Sequence, residues 1–295
     1  MLRRTFEFVV VEAGLARRRR EKDTGRVAIL SYHNVTPAGR PPVGDASLHL
    51  PADRFRTQLD FLQDHFDLVA LDEIDGDGAG HRPRAAVTFD DAYRGALEIG
   101  LPELADRGVP ATVFVCPGLL DEAGFWWDRL SRTEGGLPPE LRKRALEEHR
   151  GRQRMILDAF ETRPMEESWM LPGDREDLRR AGALPGVTLA SHTWSHPNLA
   201  ALPEEEMAAE LDECRAWLQE AFPDRSLPDH LAFPYGLYDD RVLEIAFGLG
   251  FRRLYRVEGG KAPLPGPGNA LLPRLNVPRG VSPRGFQLRV SGVRS

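Results

Sequence analysis

Short apolar runs alternate along the chain with segments whose apolar residues recur at helical spacing, such as Phe55, Leu59 and Leu62. Runs of this kind, bounded by glycine, proline or polar residues, are typical of buried strands, whereas apolar residues three and four apart are typical of helices. The pattern predicts strands at 27–32, 85–89, 111–115, 187–190, 231–233, 252–257 and 271–277, and helices at 53–65, 94–107, 203–222 and 239–249.

The repeated alternation of strands and helices predicts an α/β fold with a parallel sheet, in which functional side chains follow the carboxyl ends of the strands. Residues 119–185 interrupt this rhythm, and we interpret them as a mostly helical insertion that includes 139–163. We therefore expect a single domain over 26–280, preceded by a basic leader helix at 1–25 and followed by a tail at 281–295.

The composition is that of a soluble globular chain, with 295 residues of which 41% are hydrophobic and 28% charged. The sequence contains no run of about 18 apolar residues, which excludes a transmembrane helix. A net charge of −6 argues against a nucleic-acid partner. The two cysteines, Cys116 and Cys214, are too few for a disulfide framework, and we expect Cys116 to be a small buried hydrophobe.

Positive charge is concentrated near the N-terminus, where residues 1–22 carry seven Arg or Lys against three Glu. Glu7 and Glu12 interrupt the apolar stretch that a secretory signal would need, so a cytoplasmic location is predicted. The leader helix either packs on the domain or, as an amphipathic helix, makes a peripheral contact with the inner surface of an anionic membrane.

Polar residues suited to metal chemistry follow three predicted strands: His33, the pair Asp90 and Asp91, and the pair His192 and His196. Each group alone is weak evidence, because Asp pairs are common in turns and at helix N-termini, and two histidines four apart occur by chance. Together, two imidazoles and one carboxylate suit zinc or a neighbouring divalent metal. The second carboxylate is then free to take a proton from water.

Three motifs make the chain resemble the polysaccharide deacetylase superfamily, also called carbohydrate esterase family four or the NodB-homology domain. They are T-F-D-D at 88–91, H-T-W-S-H at 192–196 and F-P-Y-G at 233–236. The third motif lacks the usual arginine, and His33 ends the first strand, so the chain is most similar to the poly-N-acetylglucosamine deacetylase-like branch. The resemblance covers about 27–277 and implies a distorted, incomplete (β/α) barrel with parallel strands.

The resemblance also implies a role for each residue of the first two motifs. Asp90 would act as the general base, while Asp91, His192 and His196 would bind the metal. His33 would act as the general acid that protonates the leaving amine.

Two further assignments follow from the resemblance. Pro234, Tyr235 and Gly236 would contact the substrate and stabilise the oxyanion through a backbone N–H near Tyr235. Arg274 would take the place of the missing arginine and orient Asp90; the alternative is a surface or helix-cap arginine.

The implied activity is metal-dependent removal of N-acetyl groups from an amino sugar or polysaccharide. It would use one divalent metal, with zinc preferred and cobalt, nickel or manganese as alternatives, and an N-acetylated glycan or amino sugar as substrate. Because a fold does not fix a substrate, a second hypothesis is a metal-dependent amidohydrolase that uses the same barrel on a small non-sugar amide or imide. A non-catalytic carbohydrate-binding module and a glycosidase with paired carboxylates are further alternatives.

Several other residues lie near the motifs or share their chemistry. Trp126 and Trp127 open the insertion and are expected either in the core or in the wall of a groove. His49 is expected in a packing or surface role, and His230 in a structural one.

Overall fold

A barrel of parallel strands forms the centre of the molecule in the computed structural model, which describes residues 14–23, 25–41, 43–75, 82–131, 136–224, 229–266 and 268–293. Its seven strands are β1 (Arg26–Tyr32), β2 (Arg84–Phe89), β3 (Ala111–Val115), β4 (Val187–Ser191), β5 (His230–Ala232), β6 (Arg253–Val257) and β7 (Ala270–Asn276). Short strands outside the barrel are Asn34–Thr36, His49–Pro51, Asp67–Leu68 and Ala262–Pro263.

Helices surround the barrel and form the insertion. The α-helices are Leu15–Lys22, Ala52–His65, Leu101–Asp106, Trp126–Leu130, Pro139–Glu147, Gln153–Ala159, Arg175–Gly182, Glu204–Ala221, Asp240–Gly248 and Pro283–Val290. A π-helical segment, Ala96–Gly100, interrupts the single helix predicted at 94–107.

The strands follow the order β1-β7-β6-β5-β4-β3-β2, and pairing of β1 with β2 closes the barrel. The pairing is uneven. Strands β1 and β2 are joined over six residue pairs, whereas β1 and β7 share two pairs and β4 and β5 share one. The predicted α/β fold, a distorted and incomplete (β/α) barrel with parallel strands, is therefore confirmed, with seven strands.

The register brings the carboxyl ends of neighbouring strands to the same height on one rim of the barrel. Phe89 pairs with Tyr32 on one side and with Val113 on the other, and Val115 pairs with Ser191. The residues that directly follow β1, β2, β3 and β4 therefore lie next to one another on this rim.

Alternating small and large side chains fill the barrel interior. Ala86, Ala190 and Ala232 leave room for the rings of Phe114 and Tyr255, whose centroids lie 5.4 Å apart. The barrel interior is therefore a packed core rather than a channel, and the residues on the rim pack against closely packed side chains below them.

The predicted helical stretch at 139–163 is two helices, which is a correction. Arg150 and Gly151 separate them, with φ angles of 54° and 71°. A Cβ at residue 151 would lie 2.8 Å from the backbone nitrogen of Asn198, so only glycine allows this approach. The break brings the insertion close to the loop that contains His196.

The first described helix, Leu15–Lys22, packs on the domain through Arg20, whose guanidinium lies 5.3 Å from the Phe61 ring centroid and 5.9 Å from that of Phe66. Residues 1–13 and 24 of the predicted leader lie outside the described residues. The helix Pro283–Val290 occupies most of the predicted tail. Among the described residues, no helix combines the length and apolarity needed to span a bilayer.

We expect Phe114→Ala to lower the free energy of unfolding by ~3–5 kcal/mol, because it opens a cavity in the fully buried barrel interior. Leu237→Ala, at a side chain that is 37% exposed, should change it by less than ~0.5 kcal/mol. Urea unfolding of both variants measures the difference. Equal effects of the two substitutions would show that the barrel interior is not a packed core.

Candidate active site

The residues predicted from the motifs lie around one cavity on the rim of the barrel. His33 follows β1, Asp90 and Asp91 follow β2, and His192 and His196 follow β4. The cavity has a volume of about 260 Å³. The structure thus brings residues from three separated stretches of the chain to one place.

Asp90 forms a buried bidentate ion pair with Arg274, which lies on β7. The Arg274 guanidinium donates to Oδ1 of Asp90 at 2.6 Å and to Oδ2 at 2.7 Å, and Ser31 Oγ donates to Oδ2 at 3.1 Å. Arg274 is fully buried, so the alternative of a surface arginine does not apply. Burial raises the pKa of Asp90, but the charge and hydrogen bonds of Arg274, together with the nearby His192 and His33, outweigh burial and hold the pKa well below its usual range.

Asp91 faces the two histidines of the second motif. Its Oδ1 lies 3.5 Å from Nε2 of His192 and 3.2 Å from Nε2 of His196. Within the described part of the chain, this buried oxygen has no hydrogen-bond partner. Burial lowers the pKa of His192 to about 4 and holds that of His196 well below its usual value, so both rings are neutral at neutral pH.

The tautomer of His192 shows which of its ring nitrogens is free to bind a cation. Its Nδ1 lies 2.7 Å from the carbonyl oxygen of Ala232 and donates to it, which leaves a lone pair on Nε2. When Asp91 is ionised, its oxygen and that lone pair repel each other unless a cation lies between them. Two N or O donors of one tetrahedral zinc ion lie about 3.3 Å apart, given bonds of about 2.0–2.1 Å. The donor set therefore fits a divalent metal held by Asp91, His192 and His196.

Cys116, expected to be a small buried hydrophobe, is buried but also lies near two of these donors, Asp91 and His192. Its Sγ, a carboxylate oxygen of Asp91 and a ring nitrogen of His192 all lie within 4.8 Å of one another. The sequence signal was its place directly after a strand, at the same rim as the motif residues.

Several site residues adopt the left-handed backbone conformation that favours glycine. The φ angles are 69° at Asp91, 70° at Thr193, 56° at His196 and 58° at Tyr235. Such conformations cost about 1–3 kcal/mol each and cluster at functional sites. The fold must hold them in place with specific contacts.

Glu210 provides part of this support to the loop between the two histidines. Its carboxylate accepts hydrogen bonds from the Ser195 backbone nitrogen at 2.7 Å and from Ser195 Oγ at 2.6 Å. Thr193 Oγ1 accepts from the backbone nitrogen of His196 at 3.0 Å. Sequence reasoning missed Glu210, because nothing local to its helix indicates a contact with this loop.

His33 lies at the mouth of the cavity, with Nε2 3.9 Å from Oδ2 of Asp90 and 18% of its side chain exposed. Burial holds the pKa of His33 below its ordinary value, and the negative charge of Asp90 offsets only part of that effect. The imidazole can therefore reach both Asp90 and a molecule in the cavity.

The insertion forms one wall of the cavity. Trp126 Nε1 donates to the hydroxyl of Tyr235 at 2.9 Å, and the Trp127 ring centroid lies 4.9 Å from that of His196. Both tryptophans are buried, and Trp127 also lines the cavity, so it serves both core and wall. Arg142 adds a cation 5.8 Å from the Tyr235 ring centroid.

His49, expected in a packing or surface role, belongs to a buried polar network behind the cavity. Its Nε2 lies 2.9 Å from Oδ1 of Asp128, and Tyr93 donates its hydroxyl proton to Oδ2 at 2.6 Å. Asp128 also accepts from the backbone nitrogen of Asp45, a cavity residue, at 2.8 Å. His230 is buried and contacts Asp72 at 3.2 Å, away from the cavity.

The family model for polysaccharide deacetylases matches residues 77–254. The chain belongs to the polysaccharide deacetylase family. This confirms the resemblance identified from the three motifs, all of which lie within the matched segment at the carboxyl end of a strand.

Curated relatives of this polysaccharide deacetylase are similar over shorter segments. Chitin deacetylase 1 of Cryptococcus neoformans is 29% identical over 102 residues, which are 32% of this chain and 21% of that protein. Chitooligosaccharide deacetylase of Sinorhizobium fredii is 29% identical over 82 residues, 28% of this chain and 38% of that protein. The chain thus matches less than half the length of each.

Solved structures match over most of the fold. IcaB from Ammonifex degensii has a TM-score of 0.61 at 20% identity, covering 92% of this chain and 98% of that one. The Streptococcus pyogenes deacetylase PplD, in complex with acetate, has a TM-score of 0.60 at 16% identity, covering 90% and 98%. At these identities the likeness establishes the shared barrel fold.

We expect Arg274→Ala to lower the free energy of unfolding by ~3–5 kcal/mol, because Asp90 would stay buried without its partner. The double variant with Asp90→Asn should be less destabilised than Arg274→Ala alone, since no uncompensated carboxylate remains. Arg241→Ala, which removes a partly exposed ion pair with Asp239, should cost less than ~1 kcal/mol. Denaturant unfolding measures all three. A loss for Arg274→Ala no larger than that for Arg241→Ala would rule out the buried pair.

Proposed function

We propose that this protein is a metal-dependent hydrolase that removes N-acetyl groups from an amino sugar or polysaccharide. The observation that carries the proposal is the convergence, on one rim, of a buried ionised carboxylate, a histidine at the cavity mouth and a separate carboxylate–imidazole donor set. Family membership and relatives named as chitin and chitooligosaccharide deacetylases support the choice of substrate.

Asp91, His192 and His196 would hold the divalent ion, with zinc preferred and cobalt, nickel or manganese as alternatives. Neutral imidazoles and a carboxylate are ligands that suit these metals. When bound there, the ion supplies Lewis acidity to the acetyl carbonyl and to the attacking water.

Asp90 takes the proton from the attacking water. Its carboxylate is ionised over the whole working pH range, because Arg274 holds its pKa low. The bidentate contact with Arg274 and the bond from Ser31 fix the orientation of the carboxylate, so no reorganisation precedes the proton transfer. Arg274 is in this scheme a positioning residue.

His33 donates a proton to the leaving amine. An amide nitrogen leaves poorly as an anion, so C–N cleavage needs a general acid within reach. His33 is the histidine on the open side of the cavity, 3.9 Å from Asp90, whose negative charge offsets part of the lowering of the His33 pKa by burial.

The backbone at 234–236 supplies the remaining donor. Pro234 has no N–H, and the Gly236 N–H already donates to the carbonyl of Phe233 at 3.0 Å. Of the three predicted residues, this leaves the N–H of Tyr235 to stabilise the oxyanion. The hydrogen bond from Trp126 to the Tyr235 hydroxyl fixes that residue in its left-handed conformation.

We expect Asp90→Asn to reduce acetate release from N-acetylated chitooligosaccharides by about 10²–10⁴-fold, because the proton acceptor is lost. The variant should keep its metal in elemental analysis, since Asp90 is not among the donors. Asp53→Asn, at an exposed carboxylate that does not line the cavity, is the matched control and should keep full activity.

Chelation should abolish acetate release from the unmodified protein, and added zinc or cobalt should restore it. Full activity in the Asp90→Asn variant, or in protein shown to be free of metal, would contradict the proposal. Turnover of small amides but not of acetylated sugars would contradict the glycan substrate and favour the small-amide hypothesis.

The role of His33 predicts a dependence on the leaving group. We expect His33→Ala to lower kcat/KM for the acetamido sugar by about 10²–10⁴-fold, but to change hydrolysis of an activated aryl acetate far less, because a good leaving group needs no proton. His65→Ala, outside the cavity, is the control for loss of an imidazole. An equal loss on both substrates would mean that His33 is not the general acid.

A further inference from the structure

Three neighbouring strands each end in a residue that can bind a metal. Asp91 follows β2, Cys116 follows β3 and His192 follows β4, and these strands are consecutive around the barrel. The pairing of Val115 with Ser191 places Cys116 level with His192.

The position of Cys116 is fixed by contacts with the second motif. Its Sγ donates to the carbonyl of His192 at 3.2 Å, and the Gly118 backbone nitrogen donates to the carbonyl of Trp194 at 2.8 Å. A Cβ at residue 118 would lie 2.7 Å from the Trp194 ring, so glycine permits the close packing of the two loops. These contacts hold Cys116 against the backbone of the second motif.

A second observation points to a ligand at this place. Oδ1 of Asp91, 3% exposed with its residue, has no hydrogen-bond partner within the described part of the chain. The Cys116 sulfur, a carboxylate oxygen of Asp91 and a ring nitrogen of His192 lie within 4.8 Å of one another. An unsatisfied carboxylate oxygen beside a thiol and a neutral imidazole forms a mixed O, S and N donor set.

We propose that Cys116 is a further ligand of the metal ion, bound through its thiolate, so that water or the acetyl carbonyl would bind as a ligand beyond the four protein donors. This rests on the proposed function, because it takes the ion at Asp91 as given. On binding, the thiol loses its proton to solvent and its hydrogen bond to the His192 carbonyl, and a sulfur–metal bond forms. The carboxylate and the thiolate together neutralise the charge of a divalent cation.

A thiolate ligand changes which metal the site selects. Soft sulfur donors favour zinc and cobalt over manganese and magnesium, which prefer oxygen. The site should therefore discriminate against manganese more strongly than a set of two imidazoles and one carboxylate would. Among the metals that Asp91, His192 and His196 could bind, a thiolate ligand therefore favours zinc and cobalt over manganese.

Cobalt substitution tests the proposal by spectroscopy rather than by activity. Cobalt-loaded protein should show visible d–d bands, which report that the metal is bound, and a thiolate-to-cobalt charge-transfer band in the near ultraviolet. Cys116→Ser should lose the charge-transfer band and keep the d–d bands. Cys214→Ser, the matched control for the other buried cysteine, should keep both.

Metal affinities give an independent measurement. Cys116→Ser and Cys116→Ala should weaken zinc binding by at least about 10-fold, while manganese binding changes by less than about twofold. Cobalt bound with d–d bands but no charge-transfer band in the unmodified protein would overturn the thiolate ligand and leave the proposed function standing. Failure to bind cobalt or zinc at all would overturn both.

Discussion

The ion pair between Asp90 and Arg274 joins the chemistry of the rim to the closure of the barrel. Arg274 is fully buried within the barrel, 5.0 Å from the ring centroid of Phe114, and Asp90 is 2% exposed. A charge in such a place is stable only with a partner in good geometry. Because β2 and β7 both flank β1, the pair can form only when β1 is inserted between them. Closure of the barrel at β1 therefore brings Arg274 to Asp90 and orients the Asp90 carboxylate.

The surroundings of Asp91, the next residue, shift its pKa in the direction opposite to that of Asp90. Burial and the negative charge of Asp90 raise the pKa of Asp91 well above its usual value, and the described residues provide no hydrogen bond to its Oδ1. The neighbouring imidazoles are neutral, so they cannot compensate its charge. The two adjacent carboxylates therefore differ: Asp90 is paired with Arg274, whereas Asp91 has an oxygen without a hydrogen-bond partner among the described residues, which a cation could bind. In the proposed mechanism, this division gives Asp90 a proton-accepting role and Asp91 a ligand role.

The sequence predicted the parts of this arrangement that local signals encode. Strand bounds followed from apolar runs, and Asp90, Asp91, His192 and His196 followed from motifs at strand ends. The contacts that hold them were not predictable in this way, because Glu210, Asp128 and Cys116 meet their partners only through the folded topology. The break between the two insertion helices was missed for a different reason: Arg150 adopts a positive φ that its residue type disfavours, and the packing of Gly151 against Asn198 imposes it.

The insertion acts on the site through packing. Among the described residues, the mutually close metal donors are Asp91, Cys116 and His192. None of them lies on the insertion helices Trp126–Leu130, Pro139–Glu147 and Gln153–Ala159. These helices instead hold Tyr235, whose hydroxyl accepts from Trp126 and donates to the carbonyl of Gly151 at 3.4 Å. Since Tyr235 has a φ of 58°, it needs such external contacts to stay in that conformation. The insertion therefore fixes the conformation of Tyr235, which lines the cavity, while the ends of the barrel strands supply the groups to which the proposed mechanism assigns binding and proton transfer.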